Sequence, residues 1–368
     1  MKVLFNGSMY SDKPTGVGIF IREISAKLLQ LGLINEGSTI YTYSKDEITK
    51  RNHVRVIKLP GLLEKVFRNS ISLHRMVWNY FFLPRIARDY DLVYSFSSHG
   101  SPFIKNQIIT IHDLICLRYP SHHKMQYYYF KYLLPSIIKS SVKIITVSEY
   151  TKMEVIKYYN VHPEKIEVIS GAADHLQKVA SFSIRDNEKA IIERLKNKRY
   201  FLAVGASNKH KNLERLITAM KMLNNKDLLV IVGSGSNNYR KILKEKYADE
   251  QIYFLDYVSA ELLGYLYANC IAHVYVSLYE GMGFPPYEAA IYNTVSIVSN
   301  KTALPEIYQD AVYYVDPESI EEIHNALEAF SNNKVDKQQY TRQFPALLEK
   351  YKWKHTATKI AAFIDNEI

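Results

Sequence analysis

The sequence is poor in cysteine: Cys116 and Cys270 are the only two in 368 residues, and they match neither a disulfide framework nor a zinc site. Each stands among apolar neighbours and reads as a buried free thiol. No uninterrupted apolar run reaches the roughly 18 residues of a spanning helix. The start, MKVLFNGSMYS, lacks the basic-then-apolar order of a secretion signal, so the expected location is the cytoplasm. Low-complexity tracts and solenoid-type repeats are missing too. A hydrophobic fraction of 47% excludes a disordered chain and supports a real core. At roughly 150 residues per domain, the length suggests two domains.

Acidic residues are scarce in the first half. Residues 1–180 hold 24 Lys and Arg against 14 Asp and Glu, whereas 181–368 hold 23 of each, so the net charge of +10 lies in the first half. The excess is densest from Arg51 to Arg88, where it alternates with Val66-Phe67, Met76-Val77-Trp78 and Tyr80-Phe81-Phe82. That mixture suits contact with an anionic membrane surface. It suits equally a helix that buries its aromatic face and solvates its charges. No recognisable nucleic-acid module accompanies the surplus, and nucleic acid is not an expected partner.

Short β-branched runs alternate with amphipathic helical stretches, and they do so twice, which is the pattern of parallel α/β sheets. Strands are expected at Val3–Asn6, Thr39–Tyr43, Val54–Leu59, Leu92–Phe96, Gln107–Ile111, Lys143–Val147 and Ile166–Ile169. A second series runs through Tyr200–Val204, Leu228–Val232, Ile252–Leu255, Ala272–Leu278, Val295–Val298 and Ala311–Val315. Helices are expected at Val17–Leu31 and Leu213–Leu223, and the polar stretch Asp174–Lys198 reads as the junction.

The most informative segment is Glu280-Gly281-Met282-Gly283-Phe284-Pro285-Pro286-Tyr287-Glu288. It follows the apolar run Ala272–Leu278, and its prolines are tolerated only outside a helix or in its first turn. Glu280 is thus expected on a loop and Glu288 on a helix, both near the carboxyl end of a strand, where open α/β sheets bind ligands. Two carboxylates there can accept hydrogen bonds from vicinal hydroxyls.

Phosphate-binding capacity is expected at two strand-to-helix turns. In Pro14-Thr15-Gly16-Val17-Gly18, the glycines let backbone N–H groups approach an anion. After Val204-Gly205, Lys209-His210-Lys211-Asn212 opens a helix with compact cationic donors. His112, in Thr110-Ile111-His112-Asp113-Leu114, suits a sugar hydroxyl, a satisfied core histidine or, with Asp113, a metal pair. Asp89-Tyr90-Asp91 precedes a strand as surface acids do, and Gly233-Ser234-Gly235 lacks the third glycine of a dinucleotide fingerprint.

Taken in order, these segments resemble the family 4 retaining glycosyltransferases of the bacterial polysaccharide and O-antigen type, with their pair of glutamates eight positions apart. The resemblance spans nearly the whole chain. It also rests on Val147-Ser148-Glu149-Tyr150-Thr151, Phe254-Leu255-Asp256-Tyr257-Val258, Ser277-Leu278-Tyr279, Leu304-Pro305-Glu306, Asp316-Pro317 and the Trp353 segment. It implies the GT-B architecture: two Rossmann-like, doubly wound parallel-sheet domains facing across a cleft. The implied boundaries are 1–175 for the acceptor domain, 176–350 for the nucleotide-sugar domain and 351–368 for a helix crossing back to the first.

The resemblance also implies roles. Glu280 would contact the transferred sugar's hydroxyls and support charge at its anomeric carbon, Lys211 would stabilise the departing diphosphate with N–H groups near Gly16, and His112 would contact the sugar. Glu288 would hold the donor ribose, with Gly18, Gly205, His210, Gly281, Met282, Gly283 and Phe284 lining the donor site. No metal and no cofactor are expected, since lysine and helix N-termini hold the phosphate charge. The expected enzyme moves a hexose or deoxyhexose from a GDP-, UDP- or dTDP-sugar to a glycan. The basic first domain makes a lipid-linked acceptor at the inner membrane face the preferred one. A noncatalytic glycan-binding or partner subunit is the alternative. Three departures stand out: His210 where arginine is common, Met282 for phenylalanine, and Asn293-Thr294-Val295 for Gly-x-Pro.

Overall fold

β-branched, apolar runs buried on both faces need covering on both faces, and parallel strands joined by helices supply that. A computed structural model describes residues 2–10, 16–34, 37–43, 53–59, 70–120, 124–174, 185–205, 208–233 and 238–366. Among them are β1 (Val3–Gly7), β2 (Thr39–Thr42), β3 (Val54–Val56), β4 (Leu92–Ser95), β5 (Gln107–Ile111), β6 (Lys143–Thr146) and β7 (Ile166–Val168). These form one parallel sheet in the order β3-β2-β1-β4-β5-β6-β7. A second parallel sheet, ordered β10-β9-β8-β11-β12-β13, contains β8 (Tyr200–Val204), β9 (Leu228–Val232), β10 (Ile252–Leu255), β11 (His273–Tyr275), β12 (Ser296–Ser299) and β13 (Tyr313–Val315). Both sheets are doubly wound. Their strand order reverses between β1 and β4 in one and between β8 and β11 in the other, and such reversals open ligand crevices at the carboxyl ends.

The chain divides into one unit of residues 1–172 and 352–368 and another of 173–351. The helix Trp353–Asn366 belongs to the first unit because its sequence gives it an apolar stripe, Trp353, Ala357, Ile360 and Ile364, all buried. The stripe meets that of helix Gly16–Gln30, which buries Phe20, Ile21, Ile24 and Leu28, and the Phe20 and Trp353 rings lie edge to face at 5.7 Å. Truncating a buried aromatic of this size costs about 3–5 kcal/mol, so the contact holds the terminal helix firmly.

Most expected strands shift by a residue or two at their ends, but Val54–Leu59 already ends at Val56, and Ala272–Leu278 shortens to His273–Tyr275. The later backbone leaves the sheet because it finds other partners: Val276 O accepts from Asn212 Nδ2 at 3.1 Å, and Leu278 N donates to His210 O at 2.7 Å. That departure delivers Glu280 to the crevice. Cys116 is buried, but Cys270 is partly exposed, against the expectation of two buried thiols. Its place at the carboxyl end of helix Ala260–Asn269 puts it at the rim of the core.

Two π turns, Trp78–Phe82 and Tyr129–Leu133, each run into a Leu-Pro pair. Pro84 and Pro135 have no N–H to give the carbonyl four residues back, and the wider turn accommodates the lost bond. It also splits the aromatic run of the basic segment. Trp78 turns inward against Tyr41 and Phe82, whereas Phe81 remains 58% exposed. Val66-Phe67, Pro14 and Thr15 lie outside the described residues, as does Gly235.

Candidate active site

At the reversal between β8 and β11, the chain leaves β8 through Gly205, whose φ of +76° lies where side chains are strained. Its N–H turns back to Val232 O at 3.0 Å. After the turn Lys209–Lys211, Asn212 adopts the left-handed conformation that asparagine tolerates best after glycine, and opens helix Leu213–Lys221. Its side-chain amide donates to Val276 O and Pro317 O, at 3.1 and 2.6 Å, so the loop bearing Lys211 is fastened to the loop bearing Glu280.

Lys211 Nζ lies 2.6 Å from Glu280 Oε1 and 2.8 Å from the Tyr275 hydroxyl. The side chains are 17% and 11% exposed, which leaves the pair strongly coupled yet open to a ligand. An ammonium has three N–H donors; two are engaged here, leaving one for a phosphate oxygen. Burial pushes the Glu280 carboxyl upward. The Lys211 charge, His210 and the hydrogen bond from Lys211 outweigh it and hold the group below the usual range. Glu280 is therefore an anion at neutral pH.

Three features fix the Glu280 loop. The Glu280 N–H donates to Thr302 Oγ1 at 3.2 Å, and Thr302 has a φ of +62°, a strained value for a β-branched residue. Gly283 has a φ of +74°, and a Cβ there would come within 2.9 Å of Leu304 and 3.0 Å of Tyr275, so only glycine fits. The Tyr308 hydroxyl donates to Gly283 O. Pro285 and Pro286 then occupy the first turn of helix Pro285–Ile291, where their missing N–H groups cost nothing.

Glu288 sits in that turn, partly exposed, and accepts from the Tyr267 hydroxyl at 2.9 Å. Burial raises its pKa, and the Tyr267 bond only partly offsets this. The two carboxylates thus differ: one is held charged by a lysine, the other pays for its charge until a ligand supplies donors. Each rests on a tyrosine, Tyr275 or Tyr267, and the ring of His273 stands between these two phenols at 5.9 and 5.5 Å.

Lys211, His210, Gly205 and Glu280 through Glu288 all belong to the second unit. His210 is buried beside Glu280, and Met282 is buried in the loop. Gly16, Gly18 and His112 belong to the first unit. Gly16 opens its helix, and a Cβ there would meet nothing within 4 Å; Gly18 is buried as the third residue of the helix. His112 follows β5, partly exposed, with Nε2 2.9 Å from Phe96 O and Phe20 against its ring. Burial, opposed by that bond, lowers its pKa to about 4. A carbonyl only accepts, so the neutral ring carries its proton on Nε2 and presents Nδ1 as an acceptor. Asp113 Oδ1 accepts from Ile115 N at 3.0 Å, at the start of the helix that follows. Among the described residues, no three His, Cys, Asp or Glu side chains cluster as metal ligands would.

Sequence reasoning did not single out Tyr275, Tyr267 or Thr302. The tyrosines read as ordinary core residues, and nothing local marks Thr302 for a positive φ.

The family model for glycosyl transferases group 1 matches residues 184–344, and that for Glycosyltransferase Family 4 matches 14–175. An O-antigen chain mannosyltransferase RfbU of Salmonella typhimurium is 31% identical over 297 residues, covering 75% of this chain and 79% of that protein. An O-antigen chain mannosyltransferase B of Escherichia coli is 26% identical over 352 residues, 88% of each. Among solved structures, Anabaena Alr3699/HepE in complex with UDP-glucose superposes with a TM-score of 0.74 at 16% identity, over 100% of both chains. WaaG, a glycosyltransferase involved in lipopolysaccharide biosynthesis, does so with 0.72 at 14% identity, over 98% of this chain and 99% of that one.

Proposed function

Since the chain belongs to glycosyltransferase family 4 and has the GT-B fold, we propose that it transfers a hexosyl group, mannose by analogy with its relatives, onto an O-antigen-type glycan with retention and without a metal. The observation that carries this reading is the Lys211–Glu280 pair at the strand-order reversal. As the sugar leaves its nucleoside diphosphate, negative charge grows on the phosphate oxygens, and the Lys211 ammonium lies ready for it without reorganisation. Glu280 faces the opposite charge at the anomeric carbon and accepts from sugar hydroxyls, and Glu288 accepts from the ribose. The acceptor attacks the face the leaving group departs from, and a departing phosphate oxygen takes its proton. Lysine and helix N-termini supply the counter-charge that a divalent ion would otherwise give.

The donor is tested by thermal stabilisation with GDP, UDP, dTDP and ADP and their sugars, repeated with EDTA. One nucleotide series is expected to raise Tm equally with and without chelator. A shift abolished by EDTA would refute metal independence, and no shift with any nucleotide would refute the donor site.

A lipid-linked acceptor is supported by the surface of the first unit. Phe81, Phe103 and Tyr132 are 58%, 67% and 62% exposed, amid exposed Arg85, Lys105, Lys131 and Lys139. Tyr80 joins them: its ring meets Phe81 and Phe103 at 6.5 and 5.9 Å, and its hydroxyl bonds Ser136. Exposed rings among cations suit an anionic lipid surface, and this patch extends beyond the segment the sequence nominated. Among the described residues no helix is long and apolar enough to cross a membrane. The protein is expected to sediment with anionic liposomes at low ionic strength, to be released by salt, and to bind less when Phe81→Ser and Phe103→Ser are combined. No sedimentation at low salt would remove the support.

A further inference from the structure

Arg75 is a cation that the donor chemistry does not use. It stands in helix Ile71–Val77 of the first unit, partly buried, with Nε donating to Ser8 O at 2.8 Å. Among the described residues no carboxylate pairs with it, and its nearest titratable neighbours include the phenols of Tyr43 and Tyr129, which supply no counter-ion. Burying a guanidinium without a counter-ion is costly, and such a group is kept where something else supplies the anion.

The surroundings are built rather than incidental. Arg75 lies by the reversal between β1 and β4, the place in this sheet where a ligand crevice opens. Asn6 Nδ2 at the end of β1 donates to Asn79 Oδ1, Ser95 Oγ and His99 O, at 2.8, 3.1 and 2.6 Å. Asn79 Nδ2 in turn donates to Arg75 O at 2.8 Å, which fixes the helix that carries the guanidinium. His99 stacks on Tyr129 with ring centres 4.8 Å apart, and the Tyr129 hydroxyl donates to Ser98 O at 3.0 Å. Burial and the nearby Arg75 push the His99 pKa down to about 3, so this ring adds no second cation. Ser98, His99 and His112 line a pocket of about 130 Å³ with Met9 and Gln126.

We propose that Arg75, beside His99 at this crevice, is an anion subsite that takes a phosphoryl group of the acceptor. This rests on the reading of the first unit as the acceptor domain, and it narrows the acceptor to a phosphorylated one. A guanidinium whose Nε is tied to the backbone still presents its two terminal nitrogens, the fork that matches two phosphate oxygens. The diphosphate of a lipid-linked glycan offers such oxygens, and a neutral oligosaccharide does not.

The test is calorimetric titration of the full chain with hexyl diphosphate and, separately, inorganic phosphate. It uses a Lys211→Gln, Glu280→Gln background, which removes the donor-site cation without stranding its partner. Hexyl diphosphate is expected to bind saturably, to lose roughly tenfold or more in affinity on Arg75→Gln, and to recover in part with Arg75→Lys. Absence of saturable binding with Arg75 intact, or equal binding after Arg75→Gln, overturns the proposal. Inorganic phosphate matching hexyl diphosphate, with the same dependence on Arg75, assigns the subsite to free phosphate and overturns the acceptor assignment. If Arg75→Gln does not fold, the titration with Arg75 intact and the Arg75→Lys comparison decide. Nucleotide stabilisation of the otherwise native chain carrying Arg75→Lys reports separately on the donor reading, so the two can fail independently.

Discussion

Replacing Lys211 with alanine is expected to lower kcat about a hundred- to a thousandfold, the loss that follows removal of one preorganised group facing transition-state charge. The same change should destabilise the free protein, because Glu280 then remains in a largely buried position without its cation. Breaking such a pair costs about 3–5 kcal/mol when fully buried, and the residual exposure here favours the lower end. The sign of the pH dependence separates this from a general packing defect. In the native protein the Glu280 pKa is depressed, so its contribution to stability is present above the ordinary carboxylate value of 4.5 and is lost as pH falls through the lower folded value. In Lys211→Ala the burial that raises the pKa prevails, so the deficit in Tm should be largest at neutral pH and shrink on acidification. Adding Glu280→Gln should restore Tm but not turnover. Melting curves taken from neutral pH down through the ordinary carboxylate value check this beside steady-state kinetics. Activity within a few-fold of native would contradict the role given to Lys211.

Glu288→Gln is expected to move stability and binding in opposite directions. Its carboxyl is raised by burial, so whatever it contributes to stability is present below 4.5 and is lost as pH rises through the folded value. The ionised group is therefore a cost to the free protein at neutral pH. Glutamine keeps an acceptor for the Tyr267 hydroxyl without that cost, and Tm should rise at pH 7 and change little near pH 4. Donor affinity should fall about ten- to a hundredfold, as expected when charge-assisted bonds to ribose hydroxyls become neutral ones. Titration with the stabilising nucleotide measures the second effect. Unchanged donor affinity would place the ribose elsewhere.

What the sequence revealed and what it withheld divide along physical lines. Strands such as Gln107–Ile111 and Leu228–Val232 are continuous apolar, β-branched runs, and their identity is local. The glycines and prolines around Glu280 are equally local, because they answer backbone needs that a few residues express by themselves. The length of β11 was not legible, since it depends on Val276 and Leu278 exchanging sheet partners for Asn212 and His210, more than sixty residues away. For the same reason Tyr275 and Tyr267 looked like core residues: their hydroxyls acquire meaning only where Lys211 and Glu288 arrive. Thr302 goes further, because its left-handed backbone runs against its own preference and is held by tertiary contacts. The inward turn of Trp78 and the outward turn of Phe81 follow from a π turn ahead of Pro84, a register change that a 3.6-residue reading misses.

The central claim is glycosyl transfer with retention by a site whose counter-charge is Lys211. The most direct measurement is the proton NMR spectrum of the product formed from an α-linked nucleotide-mannose donor and a phosphorylated glycan acceptor, in parallel reactions with and without EDTA. The account predicts an α-linked product formed at the same rate with and without chelator, and its loss in Lys211→Ala. A β-linked product, or transfer that requires a divalent ion, would contradict it.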